Sequence, residues 1–214
     1  MPRPSNREKL LDRAEELFAK HGVGGVSMRT IQSAAGLSVG SLRYHFRSEA
    51  ELVAAVMLRR LEPIMESHEK GLDAVASKRS PSAADVLGAL IEPLVELLRR
   101  EPERGQRYLT LMHRLQLGHH TAPVFLARWP EFAQDTQGLL IKCLPHLDAA
   151  TVGLRFDLAW ETILGSLARA AGLSPRVLDA HVSDLIDYLA GGLEAPQTNP
   201  GQSAVRKRRR TKEH

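Results

Sequence analysis

The segment SMRTIQSAAGLSVGSLRYHF, residues 27–46, decides the fold of the N-terminal part of this chain. Ser27 is a candidate N-cap for a short helix that runs to about Ala34, and Ser38 is a candidate N-cap for a second one. Gly36 lies between them, where it can take the positive φ that a tight turn requires. Two short helices joined by such a turn form a helix-turn-helix, whose second helix enters the major groove of DNA. The segment therefore predicts a DNA-reading motif.

The second helix of this motif is too short to be stable by itself and carries a crowd of polar side chains. Leu42 and Phe46 can anchor its inner face, while Gly40 permits close approach of the backbone to DNA. Arginine pairs bidentately with guanine or phosphate, whereas tyrosine and histidine suit the sugar-phosphate backbone. The side chains left free for DNA are Ser38, Val39, Ser41, Arg43, Tyr44 and His45. Spacing alone fits a solvated amphipathic surface helix equally well.

Helix signals on both sides complete a small domain. Ser5 and Glu8 form a capping-box pattern, and Gly22 marks the end of the helix that they begin. The apolar stripe of that helix consists of Leu10, Leu11, Ala14, Leu17 and Phe18. Ser48 and Glu51 repeat the capping box and open a fourth helix that we expect to reach about residue 70.

The rest of the chain also reads as helical, because strand signals are almost absent. We predict an all-α fold: an N-terminal three-helix, helix-turn-helix DNA-binding domain over 1–48, a larger helical effector-binding and dimerisation domain over 49–193, and a disordered basic tail over 194–214. Pro93 is expected to kink a helix, and Pro130 to bend or restart one. The later helices are predicted over 82–100, 103–117, 123–143, 148–171 and 175–193.

Charge and composition favour an intracellular protein with a polyanionic partner. The net charge of +4 is uneven: residues 206–214 hold six Lys or Arg and one Glu, and residues 1–49 hold eight basic and five acidic residues, so the middle is acidic. The single Cys143 excludes an internal disulfide and suits a reducing cytoplasm. No apolar signal core or membrane-spanning run is present, so we expect a cytoplasmic protein with no membrane partner.

Residues 7–56 resemble the DNA-binding domain of the TetR family of transcriptional regulators. The matching features are LF and HG within 17–22, SMRTI at 27–31, AAGLS at 34–38, GSLRYHF at 40–46 and EL at 51–52. The resemblance implies an all-helical homodimer, usually a repressor, that leaves its operator when a small molecule binds the C-terminal domain. It also places DNA contacts on Met28, Arg29, Ser38, Val39, Gly40, Ser41, Arg43, Tyr44 and His45.

Three residues depart from the pattern of the family. Arg43 stands where the family most often has Tyr, which could turn a phosphate contact into base readout. Glu49 replaces the usual Lys; it suits the helix dipole but would repel phosphate. Gln32 replaces a small Ala, so that either its stem packs along the interface between the two helices or the helices sit slightly apart.

The last two predicted helices are apolar on more than one face. In 148–171 one stripe contains Phe156 and Trp160, and a second contains Leu154 and Leu158. Helices that are apolar nearly all round need two partners, so one face can pack on its own subunit and the other on a second chain. We therefore predict a homodimer through the helices near 148–171 and 175–193. The alternative is a single larger core.

For a small-molecule effector we look for bulky apolar residues interrupted by polar ones. The candidates suggest a mainly apolar effector, lipid-like or aromatic, with His68, His113 and Arg114 as possible polar anchors. The candidate ligand-binding residues are Met57, Leu61, Met65, His68, Tyr108, Met112, His113, Phe125, Trp129, Phe132, Phe156 and Trp160. The alternative is that most of these residues, which recur at helical spacing, belong to the hydrophobic core and do not line a pocket.

Signals for enzymatic chemistry are missing from the sequence. His119 and His120 are adjacent and have no carboxylate or Cys at ligand spacing, so no metal site is predicted. No phosphate loop, nucleophile elbow or HExxH motif is present, so we predict no catalytic residues and no cofactor. The function predicted is a DNA-binding transcriptional repressor controlled through movement of the fourth helix. The alternative is a constitutive DNA-binding regulator or activator whose C-terminal part only dimerises.

Overall fold

The computed structural model describes residues 5–38, 40–117, 123–170 and 172–197; for Leu42, Leu117 and 123–129 it describes the backbone alone. These ranges contain nine α-helices, a 3₁₀ turn at Val23–Gly25 and no strand, which confirms the predicted all-α fold. Val39 and residues 198–214 of the predicted basic tail lie outside the described residues. The helices are α1 Asn6–His21, α2 Met28–Ala34, α3 Ser41–His45, α4 Glu49–Ala76, α5 Ala83–Arg100, α6 Pro102–Leu117, α7 Pro123–Cys143, α8 Ala149–Arg169 and α9 Pro175–Glu194.

Local capping sets the ends of the N-terminal helices. The Ser5 hydroxyl accepts from the Glu8 N–H at 3.2 Å, and the Glu8 carboxylate accepts from the Ser5 N–H at 2.8 Å, so the predicted capping box is present. Gly22 closes α1 with a φ of 77°. Ser27 caps α2 by accepting from the Thr30 N–H at 3.1 Å. The inner faces of α1 and α2 meet around buried Phe18 and Ile31.

The turn between α2 and α3 is closed from both sides. Gly36 has the predicted positive φ, at 66°. The Leu37 N–H donates to the Gln32 carbonyl at 3.3 Å, and the Gln32 side-chain amide donates to the Leu37 carbonyl at 3.4 Å. Gln32, which departs from the family pattern, thus folds back to close the turn.

The third helix begins later than the sequence predicts. Ser38 is not its N-cap, because α3 starts at Ser41 and the Ser38 carbonyl accepts the Ser41 N–H at 2.9 Å in a preceding turn. The Tyr44 N–H then donates to the Gly40 carbonyl at 3.2 Å. The side chain of buried Phe46 ties the end of this short helix to the core. A helix of five residues depends on that anchor.

α4 is longer than predicted and is the longest described helix. It continues to Ala76 because Leu72 and Val75 extend its buried stripe beyond residue 70. Pro63 lies inside it on an exposed position. Pro93 lies inside α5, and α7 continues through Pro130 without a restart.

The C-terminal helices pack around α5 and α6. α5 contacts α4, α6, α7, α8 and α9, and α6 lies along both α1 and α8. One face of α8 is buried as predicted, with Phe156 and Trp160 in the core. Gly165 faces α6, since a Cβ there would lie 3.0 Å from His113 Nε2. The buried core runs continuously from α1 to α9, and the domain limits at 48/49 and 193/194 stay predictions.

Gly36→Ala should lower the free energy of unfolding by about 1–2 kcal/mol, because an alanine is strained at that φ although no atom lies within 4 Å of the added Cβ. For a chain of this size the melting temperature should fall by roughly 2–8 °C in a calorimetric scan. Gly40→Ala is the matched control: its Cβ also meets open space and its φ is not positive, so the shift should stay within about 0.5 kcal/mol. Equal shifts for the two variants would contradict this account of the turn.

Candidate DNA-binding surface and effector groove

The described residues predicted to contact DNA lie on α2, on α3 and in the segment between them, here called the α2–α3 face. Arg29, Ser38, Gly40 and Arg43 are exposed, and Tyr44 is 86% exposed, an unusual position for a large aromatic side chain. Met28, Ser41 and His45 are half-buried, and Met28 packs against the core. Val39 lies outside the described residues. The contact of these residues with DNA stays a prediction.

This face carries unneutralised positive charge. Across the described ranges no acidic side chain lies within 4.0 Å of the guanidinium groups of Arg29, Arg43 or Arg47. Arg7 of α1 lies 5.4 Å above the ring of Phe46. Exposed arginines without acidic partners bind a polyanion by releasing its counterions. The face is therefore chemically suited to the DNA backbone.

α3 passes directly into α4, so the two helices are mechanically connected. The Ser48 hydroxyl caps α4 by accepting from the Glu51 N–H at 3.1 Å. The Glu51 carboxylate accepts from the Arg47 N–H at 2.7 Å and not from the Ser48 N–H, so the capping box predicted here is only half formed. Phe46, one residue earlier, is buried. Few free torsions therefore separate the DNA-facing helix from α4.

A cluster of charges that sequence reasoning missed, here called the Glu15 clamp, joins α1, α4 and the α5–α6 junction. Glu15 is 1% exposed and pairs with Arg59 and with Arg60, whose Nε lies 3.5 Å from the carboxylate. Arg59 also donates to Asp12 at 2.7 Å, and Arg60 to Glu101 at 3.0 Å. The Arg60 guanidinium holds the pKa of Glu101 below its usual range. Removing one partner of a buried pair costs about 3–5 kcal/mol, so the clamp resists rotation of α4 against α1.

One sequence signal could have indicated the clamp. Glu15 lies four residues after Leu11 and three before Phe18, which places a carboxylate on the apolar stripe of α1. An acid in that position must find a cation when the stripe is buried.

A groove of about 750 Å³ lies between α4 and α7. Its floor consists of the buried residues Met65, Leu72, Phe132 and Leu139. Its rim consists of Glu69, Asp73, Ala76, Glu131, Gln134, Asp135, Gly138 and Lys142. The volume is in the range of small-molecule sites, which is about 300–1,000 Å³. We call it the effector groove.

The predicted ligand-binding residues divide into three groups. Met65 and Phe132 line the effector groove. Behind and beside it, seven others lie in the core: Met57, Leu61, His68, Tyr108, Met112, Phe156 and Trp160. His113 is half-buried against α8, and the side chains of Phe125 and Trp129 lie outside the described residues. The groove acids were not predicted, although Glu69/Asp73 and Glu131/Asp135 are both spaced four apart.

The ring of His68 is held behind the groove floor. Its centroid lies 5.1 Å from that of Phe132 in a stacked arrangement and 6.0 Å from that of Trp160. Nε2 lies 2.9 Å from the Leu90 carbonyl, which only accepts, so the neutral ring carries its proton on Nε2. Nδ1 is buried and has no hydrogen-bond partner in the described part of the chain. Burial lowers the pKa of His68 to about 4, against the opposing effect of the Leu90 hydrogen bond.

Exposed apolar side chains mark the outer faces of α8 and α9. Leu154 and Leu158 of α8 are 62% and 56% exposed, and Val177 and Tyr188 of α9 are 50% and 73% exposed. The two helices are held together by a hydrogen bond of 2.9 Å between Ser166 and His181. Leu154 and Leu158 belong to the second stripe that the sequence predicts, and the described residues leave both side chains exposed, whereas Tyr188 was not predicted.

The described residues hold no group of three or more His, Cys, Asp or Glu side chains arranged for a metal ion, and His119 and His120 lie outside them. No helix in the described ranges is both long and apolar enough to cross a bilayer. Cys143 is half-buried, and this burial raises the pKa of its thiol.

The burial of His68 should make stability depend on pH. The unfolded pKa is about 6.5 and the folded pKa about 4, so the unfolded state binds more protons between these values. The free energy of unfolding is not reduced by His68 above pH 6.5, where the ring is neutral in both states. It should fall by about 3 kcal/mol on acidification to pH 4. Urea unfolding of the wild type and of His68→Gln at both pH values isolates this change, because all carboxylates are common to the two proteins. A difference between them that does not vary with pH would refute it.

Comparison with known proteins agrees with this arrangement. Residues 10–56 match the family model of the bacterial regulatory proteins of the tetR family, and residues 88–192 match that of the tetracyclin repressor-like C-terminal domain. The HTH-type transcriptional repressor AcnR of Corynebacterium glutamicum is 28% identical over 130 residues, which are 59% of this chain and 58% of that protein. The chain thus matches less than two thirds of the length of this relative.

Solved structures share the fold over most of the chain. A TetR-like transcriptional regulator from Rhodococcus sp. RHA1 has a TM-score of 0.63 at 19% identity and covers 90% of this chain and 98% of its own. SmeT, in a complex with triclosan, has a TM-score of 0.57 at 23% identity and covers 92% and 98%. With family models matching residues 10–56 and 88–192, this protein belongs to the TetR family of bacterial regulatory proteins.

Proposed function

We propose that this DNA-binding regulator is a homodimeric repressor, released from its operator by a small molecule bound in the effector groove. The observation that carries the proposal is the exposed, unneutralised face of α2 and α3. Arg29, Arg43 and Tyr44 there face solvent without acidic partners in the described part of the chain. Such a face has no role within the chain itself and matches the chemistry of a DNA groove.

In this proposal Arg43 reads a base, and the residues around it position the helix. A long guanidinium on an exposed, groove-entering helix can bond to guanine O6 and N7 together. Tyr44 and His45 contact the sugar-phosphate backbone, and the small Gly40 and Ser41 let the backbone approach. Met28 and Arg29 contact DNA at the start of α2, and Ser38 and Val39 are further proposed contacts.

A second copy of the chain is proposed to cover the outer stripe of α8 and α9. Leu154, Leu158, Val177 and Tyr188 expose a large apolar surface, which favours a protein interface over solvent. A two-fold axis through these helices pairs the same stripe with itself. Dimerisation also gives two short reading helices, which bind half-sites about 34–36 Å apart more tightly than one helix binds alone.

Release is proposed to pass along α4. The effector groove contacts the C-terminal half of this helix, the Glu15 clamp holds its middle, and α3 leads into its N-terminus. An effector that displaces α4 must overcome the clamp and so changes how the DNA-binding helices are held. To change the ratio of the DNA-binding state to the released state from 99:1 to 1:99, the effector must prefer the released state by about 5.5 kcal/mol. That the related SmeT fold holds triclosan supports a small-molecule site in such a scaffold.

Arg43→Ala should remove sequence preference and leave the dimer folded. An operator is first selected from a random DNA pool, and affinities are then measured by fluorescence anisotropy. Loss of one bidentate contact should cost about 1–3 kcal/mol per half-site and flatten the preference at one base pair. The control is Arg176→Ala, an exposed arginine at the start of α9, which should leave affinity unchanged. An unchanged preference together with a salt slope smaller by about 1 would instead assign Arg43 to a phosphate.

The dimer interface is tested by Leu154→Glu with Leu158→Glu in one chain. Placing these carboxylates in an apolar two-fold interface should weaken dimerisation by roughly a hundredfold or more, because a buried charge without a partner costs several kcal/mol. Sedimentation velocity at micromolar concentration measures the mass. The control is Leu58→Glu, another exposed apolar residue on α4, which should remain dimeric. A monomeric wild type would end the proposal of a dimeric repressor.

A further inference from the structure

The Glu15 clamp closes into a ring of alternating charges through a residue of α6. The Arg104 guanidinium lies 3.8 Å from the Asp12 carboxylate and 3.9 Å from the Glu101 carboxylate. Together with the contacts already described, this gives each of the six side chains two neighbours of opposite charge. The charge ring, as we call it, runs in order through Asp12, Arg59, Glu15, Arg60, Glu101 and Arg104. Its acids and arginines are equal in number, so they cancel.

The charge ring connects the DNA-binding unit, α1 to α3, to the rest of the chain at two points of α1. Asp12 pairs with arginines of α4 and α6, and Glu15 pairs with two arginines of α4. The two acids lie three residues apart, which is about 4.5 Å along a helix axis. A single contact would let α1 pivot, whereas two contacts nearly one turn apart fix its tilt and its position. Because α2 and α3 pack on α1, they are held with it.

The helices that carry the ring arginines are held against one another independently of α1. Tyr108 of α6 is fully buried, and its hydroxyl donates to the Met57 carbonyl of α4 at 3.4 Å, two residues before Arg59. α4 also packs on α5, and α6 packs on α5 and α8. The hydrophobic effect that holds α1 on this support is non-directional, whereas contacts between arginine and carboxylate require a defined geometry. The charge ring is therefore suited to fix the angle of the DNA-binding unit.

We propose that the charge ring sets the half-site spacing that the dimer accepts in its operator, with Asp12 and Glu15 as positioning residues that do not touch DNA. This inference rests on the homodimeric repressor proposed above. Moving one half-site by one base pair shifts it by about 3.4 Å along the duplex and turns it by about 35° around the axis. A DNA-binding unit held at two points resists such a displacement. A unit held only by apolar packing and by the α3–α4 connection follows it more readily.

The test varies the spacing of the selected operator by inserting or deleting one base pair at its centre. Fluorescence anisotropy measures the affinity of the full chain for the original duplex and for the two altered ones. Wild type should bind the altered duplexes roughly tenfold more weakly or worse, because a second half-site out of reach no longer adds to the affinity of the first. Equal affinity of wild type for all three duplexes would overturn the inference, since no spacing preference would exist for the charge ring to set.

Two single variants, Glu15→Gln and Asp12→Asn, open the charge ring on the α1 side. Each should reduce the loss of affinity on the altered duplexes to roughly threefold, because the cost of turning the DNA-binding unit, which this ratio measures, then falls. A substitution that only destabilises the fold would weaken binding to all three duplexes by one factor and leave the ratio unchanged. Asp12→Asn decides the test if Glu15→Gln fails to fold, because the Asp12 side chain is 40% exposed and its exposed pairs contribute little stability.

The matched control is Glu16→Gln, which removes the same charge from the residue next to Glu15. The Glu16 carboxylate pairs at 2.7 Å with Arg13 of the same helix, so the substitution breaks an ion pair within α1. This variant should keep the spacing preference of wild type. Loss of the preference in the control as well would assign the effect to net charge and overturn the inference. A wild-type preference in every ring variant that folds would also overturn it.

Failure of this inference and failure of the proposed function give different results. If the selected operator holds two half-sites and their spacing matters equally to wild type and to the ring variants, the inference about the charge ring fails and the dimeric repressor remains. If no operator can be selected, or if the protein binds it as a monomer, the proposed function fails, whatever the ring variants show.

Discussion

Burial of one carboxylate between two arginines is the constraint on which the rest of this structure depends. Glu15 of α1 is held by Arg59 and Arg60 of α4, and Arg60 also holds Glu101 where α5 leads into α6. A charge taken out of water is tolerated only while its partners stay in hydrogen-bonding distance, since an unpaired buried charge costs several kcal/mol. The first helix of the DNA-binding unit and the middle of α4 are therefore held in one relative orientation, and any movement between them must pass through these contacts.

α4 connects every functional part of the chain. Its 28 residues extend about 42 Å as an α-helix. Its N-terminus follows α3 after Phe46, its middle carries the arginines of the Glu15 clamp, and its last turns form one wall of the effector groove. A hydrogen-bonded helix changes length very little, so a shift at the groove must reappear either as rotation about the clamp or as movement of α3.

The charges of the two binding surfaces are opposite, and this keeps their ligands apart. Arg29 and Arg43 leave the α2–α3 face positive, whereas the groove rim around Asp73 and Asp135 is negative. A polyanion is attracted to the first surface and repelled by the second. Competition for one surface is therefore unnecessary for regulation. Coupling through α4 suffices, provided that the effector distinguishes the two positions of that helix.

The sequence by itself determined what depends on neighbours a few residues away. The capping box at Ser5, the turn at Gly36 and the buried stripe with Phe156 and Trp160 all follow from local spacing, because capping bonds and helical faces span three or four residues. Only the tertiary structure decided that Glu15 meets Arg59 and Arg60, 44 and 45 residues away, and that His68 is buried with an Nδ1 that has no hydrogen-bond partner among the described residues. Acids spaced four apart look like an ordinary solvated face until a second helix is packed opposite them. Burial and charge partners are properties of the assembled helices, and no single helix contains them.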